Sequence, residues 1–531
     1  MEDSLEVKDK NVKANSGNVV EERKNKLKKF FFGWIKDDYD KIFLALIILT
    51  FLIRLYYFWI TKDQALWWDE ADYMSIAKTW HGIMEYPVNV IRPLLFPIIV
   101  YFFQLIGLGE ISVRVLILFL SLVSVYLMYS VGTLFFNKKT GLIASFLLSI
   151  YWSFFFFSFR LLVDVPLACL WLATILIFFK GYFGNKSIKY FILSGILLGM
   201  SFLMKFTSAA LVLIFVVYLL VTERINIFKN KKIISFFLSS LVVVMPFFLY
   251  QYFSFGDFFA FNNAATAGLV EVSLLPSFLS HIFVSANWLL PVLKILFILG
   301  TLWLLFEFVF AIDLIGEKKS ISNRYFFIFT WIIVSIFFFA RLFEGKFAED
   351  RYYFIFNPAM FLIISRFLVN IGDFLKKFHK FIPILFLIFI LGVAGYQNLN
   401  QADKTIKLRI DSFKELKQAG EWINQNTLKN ESILVVEESA EIIYYAERNY
   451  NIENHNIANV TDLINRIELH DPSYIVLSFY YYLQRNNGGS IDVVNYILSR
   501  PNEFRIVKTY GTYPSSDQNL PLVIIVEVNR D

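Results

Sequence analysis

Between Trp67 and Tyr73 the chain reads Trp-Trp-Asp-Glu-Ala-Asp-Tyr, three carboxylates beside two tryptophans. Carboxylates held together can take a proton from a hydroxyl or hold a cation, and tryptophans anchor a segment at a membrane interface. A spacing of four puts Asp69, Tyr73 and Ala77 on one helical face, with Glu70 and Asp72 pointing elsewhere. The plainer reading of the same residues is a solvated acidic loop. Cations stand further along: Arg92, within Arg92-Pro93-Leu94-Leu95-Phe96-Pro97, and Arg351, followed at once by Tyr352. The planar fork of an arginine binds two oxygens and stays charged in a low dielectric.

The other candidates each carry two readings. Arg54 lies inside a hydrophobic run, where a charge is functional by default, or else it snorkels to the nearby interface. Asp164 opens another run, either as part of a site or as a carboxylate offsetting the helix dipole. Lys205, near Thr207 and Ser208 in the middle of the hydrophobic stretch 190–221, reaches a phosphate or sits solvated in a turn. Lys346 and Arg351 bracket a short loop otherwise rich in acid, Glu344, Glu349 and Asp350. Of the two, Arg351 is favoured as a phosphate ligand because Tyr352 re-enters the membrane beside it. His281 reads as a surface or interface histidine rather than a ligand. The triplets Asn430-Glu431-Ser432 and Asn459-Val460-Thr461 match the glycosylation pattern, although such triplets arise often by chance.

The elements that must hold these residues are helices in a bilayer. Of 531 residues, 57% are hydrophobic and only 18% charged, against roughly a quarter charged in soluble domains. The lone Cys169 excludes an internal disulfide framework and a zinc site of several thiolates. A net charge of +6 does not point to nucleic acid, because membrane proteins place basic loops on the cytoplasmic side. Hydrophobic stretches lie at 41–60, 112–135, 141–159, 162–180, 190–221, 233–254, 288–315, 325–342, 352–372 and 381–398. The stretch 190–221 is too long for one span and reads as two helices meeting at the outer surface, for about 11 spans in all. Only with that hairpin do the clusters Lys138/Lys139, Lys318/Lys319/Arg324 and Lys376/Lys377/Lys380 fall on one, cytoplasmic, side.

The expected layout follows. A basic cytoplasmic segment, 1–40, leads into a transmembrane domain, 41–400, whose first external loop is 61–110. Within that loop 93–107 is apolar but too short to span, and lies along the interface. Residues 401–531 alternate strand and helix patterns, which predicts a small extracytoplasmic α/β domain. The fold class is thus a polytopic α-helical membrane protein with a C-terminal α/β domain.

Four segments carry a family likeness: Asp69-Glu70 with Tyr73, Arg92-Pro93-Leu94, Asp164-Val165-Pro166-Leu167, and Arg351-Tyr352-Tyr353 followed by Pro358. In order and sidedness the chain, over roughly residues 41–400, resembles the GT-C class of membrane glycosyltransferases. Within that class it is similar to the dolichyl-phosphate-mannose protein mannosyltransferase and lipid A aminoarabinose transferase family. The resemblance implies transfer, with inversion, of a sugar from a polyprenyl-phosphate carrier, dolichyl or undecaprenyl, to a protein, lipid or glycan acceptor outside the cytoplasm of a cell membrane. It makes Asp69 the general base or acceptor-orienting carboxylate with Glu70 in support, lets Tyr73 line the site, sets Arg92 at the carrier phosphate, and has Asp164 shape the acceptor or sugar site.

No cofactor is implied outright, and a divalent metal cation on Asp69 and Glu70 is left open. Aminoarabinose transferases have Glu-Lys-Pro-Pro where this chain reads Ile91-Arg92-Pro93-Leu94, so the Glu of such a metal site is missing. The residues agree with these roles on chemical grounds, since transfer from a phosphate-linked sugar needs a carboxylate to take the hydroxyl proton and cations to stabilise the departing phosphate. The alternative from another class is a lipid or solute transporter or flippase without covalent transfer. It predicts internal repeats and broken helices at the midplane, and no repeat is visible.

Overall fold

In lipid, a backbone must satisfy its own hydrogen bonds, and uncharged runs of Leu, Ile, Phe and Val do so as helices. The computed structural model describes residues 36–87, 90–266, 289–311, 320–342, 349–436, 440–448, 457, 459–480, 489–512 and 521–529. Among these, nine helices are long and apolar enough to cross a membrane, from Asp38–Thr61 to Ile382–Arg409. Two further helical segments lie in the bundle beside them. The stretch 190–221 is divided as expected, into Ile188–Met204 and Ala209–Glu223, by a one-turn 3₁₀ segment over Phe206–Ser208. The other is a pair of helices, Lys138–Ile150 and Trp152–Phe157, broken at Tyr151. That pair runs from Lys138, which pairs with Asp37 and Asp40 at the start of the first helix, to Arg160, which pairs with Glu70 beyond its end. This is a multi-pass membrane protein.

Small residues let the hairpin pack tightly. Helix Ile188–Met204 lies against Lys231–Phe255 through Gly195 and Gly199; a Cβ on Gly195 would meet the Phe236 carbonyl oxygen at 2.1 Å. The two ends of the bundle differ in chemistry. At one end Lys138 meets Asp37 and Asp40 at 2.8 and 2.6 Å, and Lys139 meets Asp373 at 3.1 Å. The acidic helix Trp68–Trp80 and the hairpin tip at Lys205 lie at the other. The short apolar helix Leu95–Leu105 follows Trp68–Trp80 and packs against it.

After Arg409 the chain forms a four-stranded sheet from β1 (Ile433–Val436), β2 (Tyr474–Ser478), β3 (Phe504–Tyr510) and β4 (Val523–Val528), in the order β1-β2-β4-β3. β1 and β2 are parallel and the other pairs antiparallel. Central β2 and β4 are almost wholly buried, whereas edge strand β3 is mostly exposed. One face of this domain does not close on itself. Leu416, Ile423, Val435, Ile442 and Val476 share a single apolar cluster with Ile76, Met84 and Tyr86 of the first loop. Asn459, the acceptor of the second triplet, caps helix Val460–His470, its side-chain oxygen accepting the Asp462 N–H at 2.9 Å. His281 lies outside the described residues.

Candidate active site

Helix Trp68–Trp80 carries its acids on two faces with opposite surroundings. Glu70 is fully buried, and its carboxylate accepts the backbone N–H of Trp67 at 2.7 Å, which closes the first turn of the helix. The same carboxylate accepts the Leu161 N–H at 2.7 Å and is paired with Arg160, whose guanidinium also lies over Trp67 with its carbon 4.2 Å from the ring centre. Around this pair Gln64, Arg114 and Glu110 complete a second set of charge-assisted bonds: Arg160 donates to Gln64 at 3.1 Å, and Arg114 to Glu110 at 2.7 Å. Glu70 is therefore not brought together with Asp69.

Asp69 faces the other way. One carboxylate oxygen accepts from Arg92 at 2.6 Å and the other from Arg351 at 2.8 Å, so residues far apart in sequence meet on one carboxylate. Burial opposes ionisation of Asp69, but the Arg92 and Arg351 guanidiniums outweigh it and hold the carboxyl well below the usual carboxylate range. Asp72 joins the same network: one of its oxygens accepts from Arg92 Nε at 3.0 Å and Nη2 at 2.8 Å, and the other accepts from the Tyr86 hydroxyl. This corrects the expectation that Asp72 points away. Residues three apart on a helix also share a face, so Asp72 follows Asp69 onto the same guanidinium. Burial pushes the Asp72 carboxyl up, with Arg92 and Tyr86 opposing it.

Next to this network, Asp164 at the first turn of its helix accepts from Lys205 at 2.6 Å, and Arg351 stands 3.9 Å from the other Asp164 oxygen. Asp164, Lys205, Thr207, Arg351, Tyr352 and Phe354 line one small pocket. Lys205 lies over the Tyr352 ring, with its nitrogen 4.3 Å from the centre, and the Arg92 guanidinium lies over Tyr73 at 5.4 Å. Both readings of Lys205 as a solvated turn residue and of Asp164 as a plain dipole partner thus give way to an ion pair beside Arg351. Arg54 is fully buried against Phe155, so it does not snorkel to solvent, and its Nε and Nη2 find no hydrogen-bond partner among the described residues. Lys346 lies outside the described residues.

The donor set does not suit a divalent cation on Asp69 and Glu70. Asp69 spends both oxygens on guanidiniums, Glu70 turns to Arg160, and among the described residues no group of three His, Cys, Asp or Glu is placed to hold a metal. Sequence reasoning missed Tyr86 and Arg160. Arg160, four residues before Asp164 and next to an apolar run, was visible as an intramembrane charge; nothing in the sequence marks Tyr86.

Residues 91–250 match the sequence family described as dolichyl-phosphate-mannose-protein mannosyltransferase. No curated protein matches the chain in sequence. Among solved structures, ArnT from Cupriavidus metallidurans in the apo state is similar with a TM-score of 0.58 at 13% identity, over 92% of this chain and 98% of that one. ArnT bound to undecaprenyl phosphate gives 0.57 at 12%, over 93% and 98%. The Archaeoglobus fulgidus oligosaccharyltransferase AglB, in complex with an inhibitory peptide and a dolichol-phosphate, gives 0.54 at 13%, over 92% and 76%. At such identities likeness speaks for the fold, and the fold of this chain is that of the GT-C membrane proteins.

Proposed function

We propose that this protein transfers a sugar from a polyprenyl-phosphate carrier to a hydroxyl of an acceptor outside the cytoplasm, with inversion at the anomeric carbon. The observation that carries this reading is the meeting of Asp69 with both Arg92 and Arg351, beside the Asp164–Lys205 pair, in a chain of GT-C fold. Three carboxylates, Asp69, Asp72 and Asp164, stand against three cations, Arg92, Arg351 and Lys205. An arriving phosphate has to share the guanidiniums with Asp69. Held by both arginines, Asp69 is a poor base; once phosphate oxygens occupy them, the carboxylate loses the charges that keep it acidic and can accept a proton.

The reaction then balances within the site. The acceptor oxygen attacks the anomeric carbon, the new glycosidic bond forms as the bond from that carbon to the phosphate oxygen breaks, and the electron pair leaves with the carrier phosphate. Arg92, Arg351 and Lys205 stabilise the charge that develops there, and the acceptor's proton passes to Asp69. A single displacement inverts the anomeric centre. Tyr73 and Tyr352 line the cations, and Glu70 orients the helix rather than the proton. The lysine-rich opposite end supports an outward-facing site, because basic loops stay on the cytoplasmic side.

The test is sugar transfer by the purified protein in proteoliposomes supplied with a labelled polyprenyl-phosphate sugar. Wild type is expected to label an acceptor, and Asp69→Asn, folded and inserted, to lose about 10²–10⁴-fold in rate. Transfer by Asp69→Asn at the wild-type rate, or lipid movement by the wild type without any covalent product, overturns the reading.

A further inference from the structure

The C-terminal domain meets the site helix at three places. The Leu66 N–H donates to the Tyr445 hydroxyl at 3.0 Å, just ahead of helix Trp68–Trp80. At the far end of that helix Lys78 donates to Glu447 at 2.8 Å and to the Tyr444 carbonyl at 3.1 Å, and lies over the Tyr444 ring at 3.9 Å. Beside Lys78, Ile76 is seated in the apolar cluster formed with Leu416, Ile423 and Ile442, and so are Met84 and Tyr86 of the segment after the helix. The helix that carries Asp69 is thus tied to the domain just ahead of its start, along its last turns and through the segment that follows it.

Tyr86 is where this grip touches the chemistry. Its ring is buried in the shared cluster, its backbone N–H donates to Thr79 at 2.9 Å, and its hydroxyl donates to Asp72. Asp72 in turn holds Arg92 by Nε and Nη2, leaving Nη2 directed at Asp69. A guanidinium held on one edge by a carboxylate has its free edge fixed in direction, because the fork is planar. We propose that Tyr86 and Asp72 are positioning residues, through which the C-terminal domain sets the direction of the Arg92 guanidinium toward Asp69 and the carrier phosphate. The proposal rests on the glycosyl-transfer reading for its kinetic consequence, but not for its geometry.

Deletion of the domain is a poor test, since it strips Ile76, Met84 and Tyr86 of their apolar partners along with every polar contact to the helix. Tyr86→Phe is better: it keeps the ring in the cluster and removes only the hydroxyl. In full-length protein in nanodiscs, Tyr86→Phe is expected to keep the wild-type unfolding midpoint, lower kcat about tenfold, and speed amide exchange over 66–80. The acid limb of its pH profile moves upward, because Asp72 has lost a donor that favours its charged form and releases Arg92 on protonation; the groups facing Asp72 are Tyr86, Arg92 and Asp69. A merely structural role lowers the active fraction equally at every pH.

Wild-type exchange over 66–80 together with an unmoved acid limb overturns the proposal. Should Tyr86→Phe fail to fold, Asp72→Asn, which leaves the apolar cluster whole, decides: faster exchange over 66–80 and loss of the acid limb support it, and wild-type values of both overturn it. Should wild-type protein transfer no sugar, the glycosyl-transfer reading falls while the exchange measurement still decides whether Tyr86 and Asp72 hold the helix.

Discussion

Asp69 and Glu70 are consecutive residues of one helix, and each meets arginine, yet their surroundings differ in kind. Glu70 is sealed: both oxygens are taken by Arg160, Leu161 and Trp67 in a region closed to solvent. Asp69 keeps about a quarter of its side chain exposed, at 27%, and bridges two arginines that belong to separate segments of the chain. A buried pair whose carboxylate has every oxygen bonded holds a helix in place; a half-open pair can exchange partners. On the proposed function, only the second admits the carrier phosphate and then serves as the base.

The comparison is sharpest in the largest expected effect, the loss of about 10²–10⁴-fold in transfer for Asp69→Asn without loss of fold. Glu70→Gln is expected to do the reverse. It leaves the Arg160 guanidinium buried without its countercharge, lowering stability by about 3–5 kcal/mol in thermal unfolding, while adding Arg160→Met recovers most of the loss. Glu70→Gln protein that unfolds normally but transfers nothing would break the division between the two carboxylates. Arg351→Met removes one of the two guanidiniums on Asp69 and is expected to lower kcat by about 10²–10³-fold, measured with saturating donor; an effect on donor KM alone would make Arg351 a binding residue only.

A smaller effect concerns the neighbour of Arg351. Burial pushes the Asp350 carboxyl up to about 6, with Arg351 opposing it only in part. The folded state therefore favours the protonated form, which costs stability above pH 6 and nothing below the unfolded value near 4. Asp350→Asn is expected to raise stability at pH 7 by about 3 kcal/mol, a gain that shrinks to zero as the pH falls from 6 to 4. An unchanged unfolding midpoint at pH 7 would remove Asp350 from the set of strained groups around the site.

Much of this was legible in the chain. The divided stretch 190–221, with Lys205 at its tip, follows from its length against the thickness of a bilayer, and the strands after residue 430 follow from short runs rich in Val and Ile. Asp69, Arg92, Asp164 and Arg351 stood out because charges are rare in such a composition. The division of labour between Asp69 and Glu70 was not legible, since one residue step turns a side chain about 100° around a helix and only the packing decides which direction is closed. Arg54 shows the same limit: its place in the run was readable, its enclosure against Phe155 was not.

By itself the sequence determined the solvent, the long apolar helices and the short list of charged residues among them, because hydropathy and charge act over whole segments and need no partner to be read. Only the tertiary structure decided which charges meet. Ion pairs such as Asp69–Arg351 and hydrogen bonds such as Tyr86–Asp72 depend on ångström-scale distances between distant or differently folded segments, and those distances are set by the packing of the bundle and of the C-terminal domain against one helix.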